Sequence, residues 1–271
     1  MSQLLSAQLD IGYLDSLAGR SSPVHRINPQ AKLIVSVVYI TILMSFPRYH
    51  TVSLLPFVLY PLMLITLGSL PVGYLLRRIL FVAPFAIMIG IFNPLFDPHT
   101  VALTEKVVIS AGWLSFVSIL IRFFLTVGTA LALIAVTGFF TLCRALERLR
   151  VPQVFVMQLM LLYRYIHVLI EETLRMVRAH SLRGVGLKKI GLSTFGSLAG
   201  SLLLRSLSRG ERVYMAMKCR GFTGQFGTAH ATRWTFGDLL FCLGWPALFI
   251  GFRLYNIPVL IGELFMKAVL S

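Results

Sequence analysis

Charge is what this sequence has least of. Only 13% of its 271 residues are charged, and 10 acids stand against 25 lysines and arginines. A soluble domain carries about a quarter charged residues, so this chain cannot cover itself with a water-facing surface. Its 57% hydrophobic content and mean hydropathy of +0.82 agree. A soluble globular protein is excluded, and the composition is that of a polytopic membrane protein. Cysteine is scarce as well. Cys143, Cys219 and Cys242 are odd in number and far apart, giving neither a disulfide framework nor a zinc spacing.

Other absences narrow the function. No G-x-x-x-x-G-K-[ST] occurs; Gly184-Val185-Gly186-Leu187-Lys188-Lys189 is glycine-rich and basic but wrongly spaced and lacks the Ser/Thr. The chain therefore holds no ATPase of its own. The six histidines (His25, His50, His99, His167, His180, His230) are scattered, with no i,i+4 pair and no carboxylate set beside them. No metal site and no cofactor are expected. The first thirty residues lack an apolar core preceded by positive charge, so no cleavable signal peptide is visible.

What is present is a series of apolar runs at 31–46, 51–70, 79–96, 113–140 and 236–252. A span needs about 20 apolar residues, or somewhat fewer where flanking side chains snorkel. The expected fold is all-α and polytopic, with about five transmembrane helices and a cytoplasmic domain of long helices. Cations set the orientation. With the N-terminus in the cytoplasm, Arg20, Arg26, Lys32, Arg77 and Arg78 fall inside, as does all of 141–235 with its dense run of Arg and Lys. The formal net charge of +15 thus reflects cytoplasmic loops and their contact with the lipid bilayer, not nucleic acid. The expected organisation is a cytoplasmic N-terminal segment at 1–30, four spans in 31–140, a cytoplasmic domain at 141–235, and a last span and tail at 236–271.

An intramembrane enzyme would need convergent acids, bases or ligands inside the spans, and the spans offer almost none. Arg122 is the one clear ionised residue in the fourth, where an inter-helix or snorkelling contact accounts for it, and Asp238 opens the last. A stand-alone channel or carrier would place polar residues or broken helices at mid-membrane. Asn93-Pro94 is the only such feature, near the outer end of its span.

Residues 141–235 are too long for a connecting loop and too apolar for a disordered one. Residues 153–183, just after Pro152, contain no Gly or Pro and read as one helix, apolar all round in its first half and amphipathic in its second. Gly184 and Gly186 are placed to stop it. A second helix is expected at about 192–219, stopped by Gly221. It carries Gly196 and Gly200 four apart, with Ser193, Ser197 and Ser201 beside them, a spacing that lets helix backbones approach closely. The two helices finish alike, in Ala179-His180-Ser181-Leu182-Arg183-Gly184 and Ala216-Met217-Lys218-Cys219-Arg220-Gly221. Arg in a last helical turn complements the helix dipole. Two such ends, each released by a glycine, also form a two-pronged plug for acidic grooves, because the guanidinium fork meets carboxylates and carbonyls through several hydrogen bonds.

These paired Ala-x-x-x-Arg-Gly endings resemble those of the transmembrane T component of energy-coupling-factor transporters. The stretch Ser22-Pro23-Val24-His25-Arg26-Ile27-Asn28-Pro29-Gln30-Ala31-Lys32-Leu33 is similar to the entry to the first span in the CbiQ-type members, which serve cobalt or nickel uptake. Ala145-Leu146-Glu147-Arg148-Leu149-Arg150-Val151-Pro152 resembles the lead into their coupling helices. His180 and Cys219 depart from the small or polar residues often found beside the motifs. The resemblance covers most of the chain. It implies a non-catalytic subunit in the inner (plasma) membrane of a prokaryote, multi-pass with its N-terminus inside. Its partners would be two ABC-type ATPase subunits, a membrane-embedded substrate-binding S component and the lipid bilayer. Ala179, Arg183, Gly184, Ala216, Arg220 and Gly221 would engage the ATPases. Gly196, Ser197, Gly200 and Ser201 would pack helices against each other and the S component. The implied cargo is cobalt or nickel; a general T component serving vitamin-specific S components is the alternative, and a stand-alone channel or carrier a more distant one.

Overall fold

A computed structural model describes residues 17–20, 22–47, 52–96, 100–104, 107–183, 191–222, 224 and 234–255. These residues fall into two units, a bundle formed by residues up to Leu142 and from Trp234 onward, and a second unit beginning at Cys143.

The bundle starts with a single turn, α1 (Pro23–Arg26), and α2 (Pro29–Met44). Pro29 occupies the first helical turn, where its missing N–H costs nothing, and the Asn28 side chain accepts from the Gln30 N–H at 3.1 Å. The first apolar run therefore becomes helical two residues before the sequence pattern turns apolar. The second run is not one regular helix. Pro56 and Pro61 interrupt it, and it forms a 3-10 stretch, Val52–Val58, followed by α3 (Leu59–Leu67). The larger rise of a 3-10 helix stretches these segments to about 28 Å, close to the hydrocarbon thickness of a bilayer.

α4 (Val72–Gly90) begins earlier than the sequence reading of 79, with Arg77 and Arg78 inside its second turn. Arg78 bonds the Tyr74 hydroxyl at 3.0 Å and lies over its ring, which carries the charge toward the helix end. α5 (Phe92–Phe96) follows, then a hairpin, β1 (Thr100–Thr104) with β2 (Val107–Ser110), antiparallel with Thr100 opposite Ser110. The hairpin occupies the stretch read from sequence as polar connector and is a small addition to an otherwise helical fold. α6 (Ala111–Thr137) is the longest bundle helix; it stops at Gly138, and α7 (Phe139–Arg148) leads away. α10 (Phe236–Tyr255) closes the bundle.

Packing follows membrane rules. α4 buries Leu75, Ile79, Ala83, Ala86 and Gly90, a stripe at helical spacing that grows smaller along the helix, while Phe81 and Phe85 face outward at 85% and 71% exposure. Small residues inside and large apolar ones outside are what a lipid-facing helix needs. At the far end, a Cβ on Gly112 would sit 2.5 Å from the Pro94 Cα, so only glycine allows α6 to start this close to α5. The centre is aromatic: Tyr39, Phe57, Tyr60, Trp245 and Phe249 meet with ring centroids 5.1–5.9 Å apart. Their polar ends are satisfied, Tyr39 donating to the Phe57 carbonyl (2.9 Å) and Tyr60 sharing a hydrogen bond with Ser36 (2.8 Å). Arg122, midway along α6, donates to the Pro47 carbonyl at 2.7 Å and so ties α6 to the end of α2, the inter-helix role expected of it.

A buried polar latch joins the two ends of the bundle. Asp238, 4% exposed, accepts from the Asn28 N–H (2.8 Å), the Thr235 N–H (2.9 Å) and the Thr235 hydroxyl (2.7 Å). Lys32, 1% exposed, is stabilised by the same carboxylate. Trp234 donates its indole N–H to Gln30 (3.1 Å) beside it. The first turn of α10 is thus fastened to the first turn of α2.

Four helices among the described residues are long and apolar enough to cross a membrane: Val72–Pro94, Gly112–Thr137, Gln153–Arg183 and Phe236–Leu254. Pro29–Met44 and Ser53–Leu67 are shorter apolar helices. Gln153–Arg183 qualifies through its largely apolar first half, although the sequence reading assigns it to the cytoplasmic domain.

Candidate functional site

The second unit is dominated by α8 (Gln153–Arg183) and α9 (Leu192–Cys219), with bounds matching the sequence expectation. α7 ends in a turn in which Arg150 adopts φ +66°, while the Val151 N–H reaches back to the Leu146 carbonyl (3.2 Å). That left-handed position usually belongs to glycine. The chain then enters α8 at Pro152, whose carbonyl takes the Phe155 N–H at 3.0 Å.

The two helices touch over a short region. Glu172 and Arg205 form an ion pair at 2.8 Å, and the Ser201 hydroxyl lies 3.5 Å from the Met176 sulfur. The face of α8 that makes this contact carries Glu172, Met176, Ala179 and Arg183 at successive turns. The face of α9 that makes it carries Ser201, Arg205, Arg209, Arg212, Ala216 and Arg220. Each Ala-x-x-x-Arg ending therefore continues the stripe by which its helix meets the other. At 1.5 Å per residue, Arg183 lies about 16 Å from the contact along α8 and Arg220 about 22 Å along α9.

Ala179, Arg183, Ala216 and Arg220 are all exposed. An alanine one turn before each arginine leaves room for a partner surface to close on the guanidinium from the side. Arg183, Ala179 and His180 line a hollow of about 420 Å³ with Leu198, Ser201 and Arg205. Arg205, Arg209 and Arg212 line a second, of about 460 Å³, with Glu172. Both hollows carry a cationic excess suited to acidic groups. The end of α9 is tightly built. Gly221 takes φ +74°, its N–H bonds the Lys218 carbonyl, and the Phe222 N–H bonds the Met217 carbonyl, each at 3.0 Å. This is the glycine-dependent stop expected from sequence. Gly184 and Gly186, expected to stop α8 in the same way, lie outside the described residues.

The glycine strip is not what joins α8 to α9. Gly196 and Gly200 lie on the opposite side of α9 from Arg205, have no atom within 4 Å of a built Cβ, and are exposed, as is Ser197. Of the four small residues named for packing, only Ser201 meets α8. Sequence reasoning missed the Glu172–Arg205 pair and the Asp238 latch. The latch had a signal: Thr235-x-x-Asp238 ahead of an apolar run is a capping-box pattern. Among the described residues no group of three His, Cys, Asp or Glu side chains lies together. Burial raises the Cys143 thiol above its ordinary pKa, while Cys219 is exposed beside Arg220.

The family model described as "CbiQ: Cobalt transport protein" matches residues 20–230. The chain belongs to the CbiQ cobalt transport protein family. It is similar to the energy-coupling factor transporter transmembrane protein EcfT of Streptococcus thermophilus, with 24% identity over 239 residues, 80% of this chain and 88% of that one. EcfT of Bacillus subtilis is 26% identical over 222 residues, covering 76% and 83%. A putative fused cobalt transport protein CbiMQ of Methanocorpusculum labreanum is 36% identical over 85 residues, 31% of this chain. This chain spans only 14% of that longer protein. The match to the family runs from α1 through α9 and stops before α10, and this CbiQ-family chain is a multi-pass membrane protein.

Proposed function

We propose that this chain is the transmembrane coupling (T) subunit of an energy-coupling-factor importer, non-catalytic itself and set in the inner membrane of a prokaryote with its N-terminus cytoplasmic. Two ABC-type ATPase subunits bind and hydrolyse ATP and change their spacing. Arg183 and Arg220, seated in grooves on those subunits, follow the movement. α8 and α9 pivot about the Glu172–Arg205 contact, and their motion tilts a membrane-embedded S component so that its substrate site changes sides. Cobalt or nickel is the cargo, carried by the S component.

The observation that carries this reading is the pair of exposed Ala-x-x-x-Arg ends, each continuing the stripe that joins the two helices. A rigid helix with its contact at one place and a free cation about 16–22 Å away is a lever. The cytoplasmic reading of α8 rests on its amphipathic second half, where Glu171, Glu172, Arg175 and Arg178 stand against the apolar face, and on Arg164, which interrupts its first half. A second reading, a general T component serving vitamin-specific S components, is favoured by the EcfT relatives, which are matched over more than 80% of their length.

Uptake by cells carrying the whole importer tests the proposal. Arg183→Glu or Arg220→Glu should abolish accumulation of radioactive cobalt while leaving membrane insertion intact, because each replaces attraction by repulsion. Normal uptake by both variants would overturn it. Wild-type uptake of a vitamin but not of cobalt or nickel would select the second reading.

A further inference from the structure

The bundle carries a groove that coupling does not use. It has a volume of about 620 Å³ and runs between α1 and the first half of α10. Its wall is apolar, made by Leu240, Phe241, Trp245 and Leu248, and it is opened by Gly244, where a built Cβ meets nothing within 4 Å. At its head stands Arg26, exposed and without an ion pair among the described residues. Asp238 also borders the groove but is 4% exposed, and its oxygens are taken by Asn28 and Thr235, with Lys32 beside it. The free charge at the head is therefore positive.

We propose that this groove is a binding site for one anionic glycerophospholipid, its phosphate against Arg26 and an acyl chain along Phe241, Gly244, Trp245 and Leu248. Three features favour a lipid. The groove follows the axis of a membrane-crossing helix for about 16 Å from its first turn, so it starts at headgroup level and descends among the acyl chains. Its head bears a cation where anionic lipids concentrate. Its volume lies in the range of small-ligand sites, about 300–1,000 Å³.

Trp245 supplies the readout. The full chain carrying Trp113→Phe and Trp234→Phe is reconstituted in nanodiscs, and its fluorescence is titrated with phosphatidylglycerol or phosphatidylcholine brominated on the acyl chain. One favourable Arg–phosphate contact at a membrane surface predicts about a fivefold preference for the anionic lipid. Arg26→Gln should erase that preference. Gly244→Leu, whose Cβ meets nothing within 4 Å and whose side chain enters the groove, should weaken quenching by both lipids. Inorganic phosphate in excess should not compete. Equal quenching by the two lipids, a preference that survives Arg26→Gln, displacement by free phosphate, or loss of quenching in the assembled importer would each overturn the proposal. The last of these would make the groove a protein interface. Because the lipid titration uses the single chain, its failure is independent of the coupling role; only the assembled-importer comparison needs the partners.

Discussion

In the bundle, α4 turns Ala83, Ala86 and Gly90 inward, an aromatic cluster fills the centre, and a carboxylate fastens the last helix to the first. In the second unit, α8 buries only Val156 and Leu174 along 31 residues, and α9 buries none. Two helices with that little burial do not hold a fixed angle by their own packing, since helix stability in proteins comes mainly from tertiary contact. Phe195, Leu203, Leu207 and Tyr214 lie exposed on α9, at 52–62%. Among the described residues the bundle holds most of the burial and the long helices little. A lever of the kind proposed needs that division between a fixed body and arms left open for partners.

The contrast is testable by disturbing each side in turn. The largest effect is expected at the latch. Asp238→Ala frees the buried Asn28 and Thr235 donors and removes the negative charge that favours ionised Lys32. Each buried donor left unsatisfied costs about 1–3 kcal/mol, so thermal stability in detergent should fall sharply. An unchanged Tm would show that the latch does not hold the bundle. Next comes Gly112→Val, which drives a side chain into the Pro94 backbone. Overpacking of this kind costs about 1–3 kcal/mol, read as a lower midpoint in chemical denaturation; wild-type stability would contradict the tight α5–α6 approach.

A glycine in the other unit should behave differently. Gly200→Leu meets open space, so the isolated chain should keep its stability to within about 0.5 kcal/mol. The yield of assembled importer should drop, because the larger side chain holds off a partner helix. Destabilisation of the isolated chain would mean that the strip packs within it after all.

The smallest effect concerns pH. His25 is held by Ser22 (2.7 Å) and the Leu17 carbonyl (3.2 Å), a pattern that a neutral ring protonated on Nε2 satisfies at both nitrogens. Burial, aided by Lys32 and Arg20, lowers its pKa below the ordinary 6.5. The unfolded chain then binds the proton more readily than the folded one, so the contribution of His25 is present above 6.5 and is lost as pH falls through its folded value. Amide exchange around α1 should quicken on acidification in that window, and His25→Gln should flatten the response. Faster exchange at higher pH, after correction for intrinsic chemistry, would reverse the assignment.

The long helices were legible in the sequence to the residue, because both are framed by breakers: Pro152 before one, and glycines after each. The two arginine ends were legible because they repeat. The second apolar run was not, since average hydropathy is blind to Pro56 and Pro61 redirecting the backbone into a 3-10 stretch. Nor was the start of α4, because Arg77 and Arg78 look like a boundary but lie inside a helix, Arg78 folding back over Tyr74. The small-residue strip on α9 was visible as a pattern, yet spacing alone does not say which helix it faces; among the described residues Gly196 and Gly200 meet no neighbour and only Ser201 meets α8. Asp238 was seen as a charge at a span's end, while its partners Asn28 and Lys32 lie over 200 residues away. Local patterns reveal a cap, not the distant donors it collects.

The central claim is that Arg183 and Arg220 are the joints to the ATPases. Co-purification in detergent of this chain with candidate ABC ATPase subunits, comparing wild type with the Arg183→Glu/Arg220→Glu double variant, tests it most directly. Retention of the ATPases by wild type and their loss from an equally well-folded double variant is the expected result. Equal retention by both would contradict it, and an absence of ATPase from both would return attention to a self-contained channel or carrier.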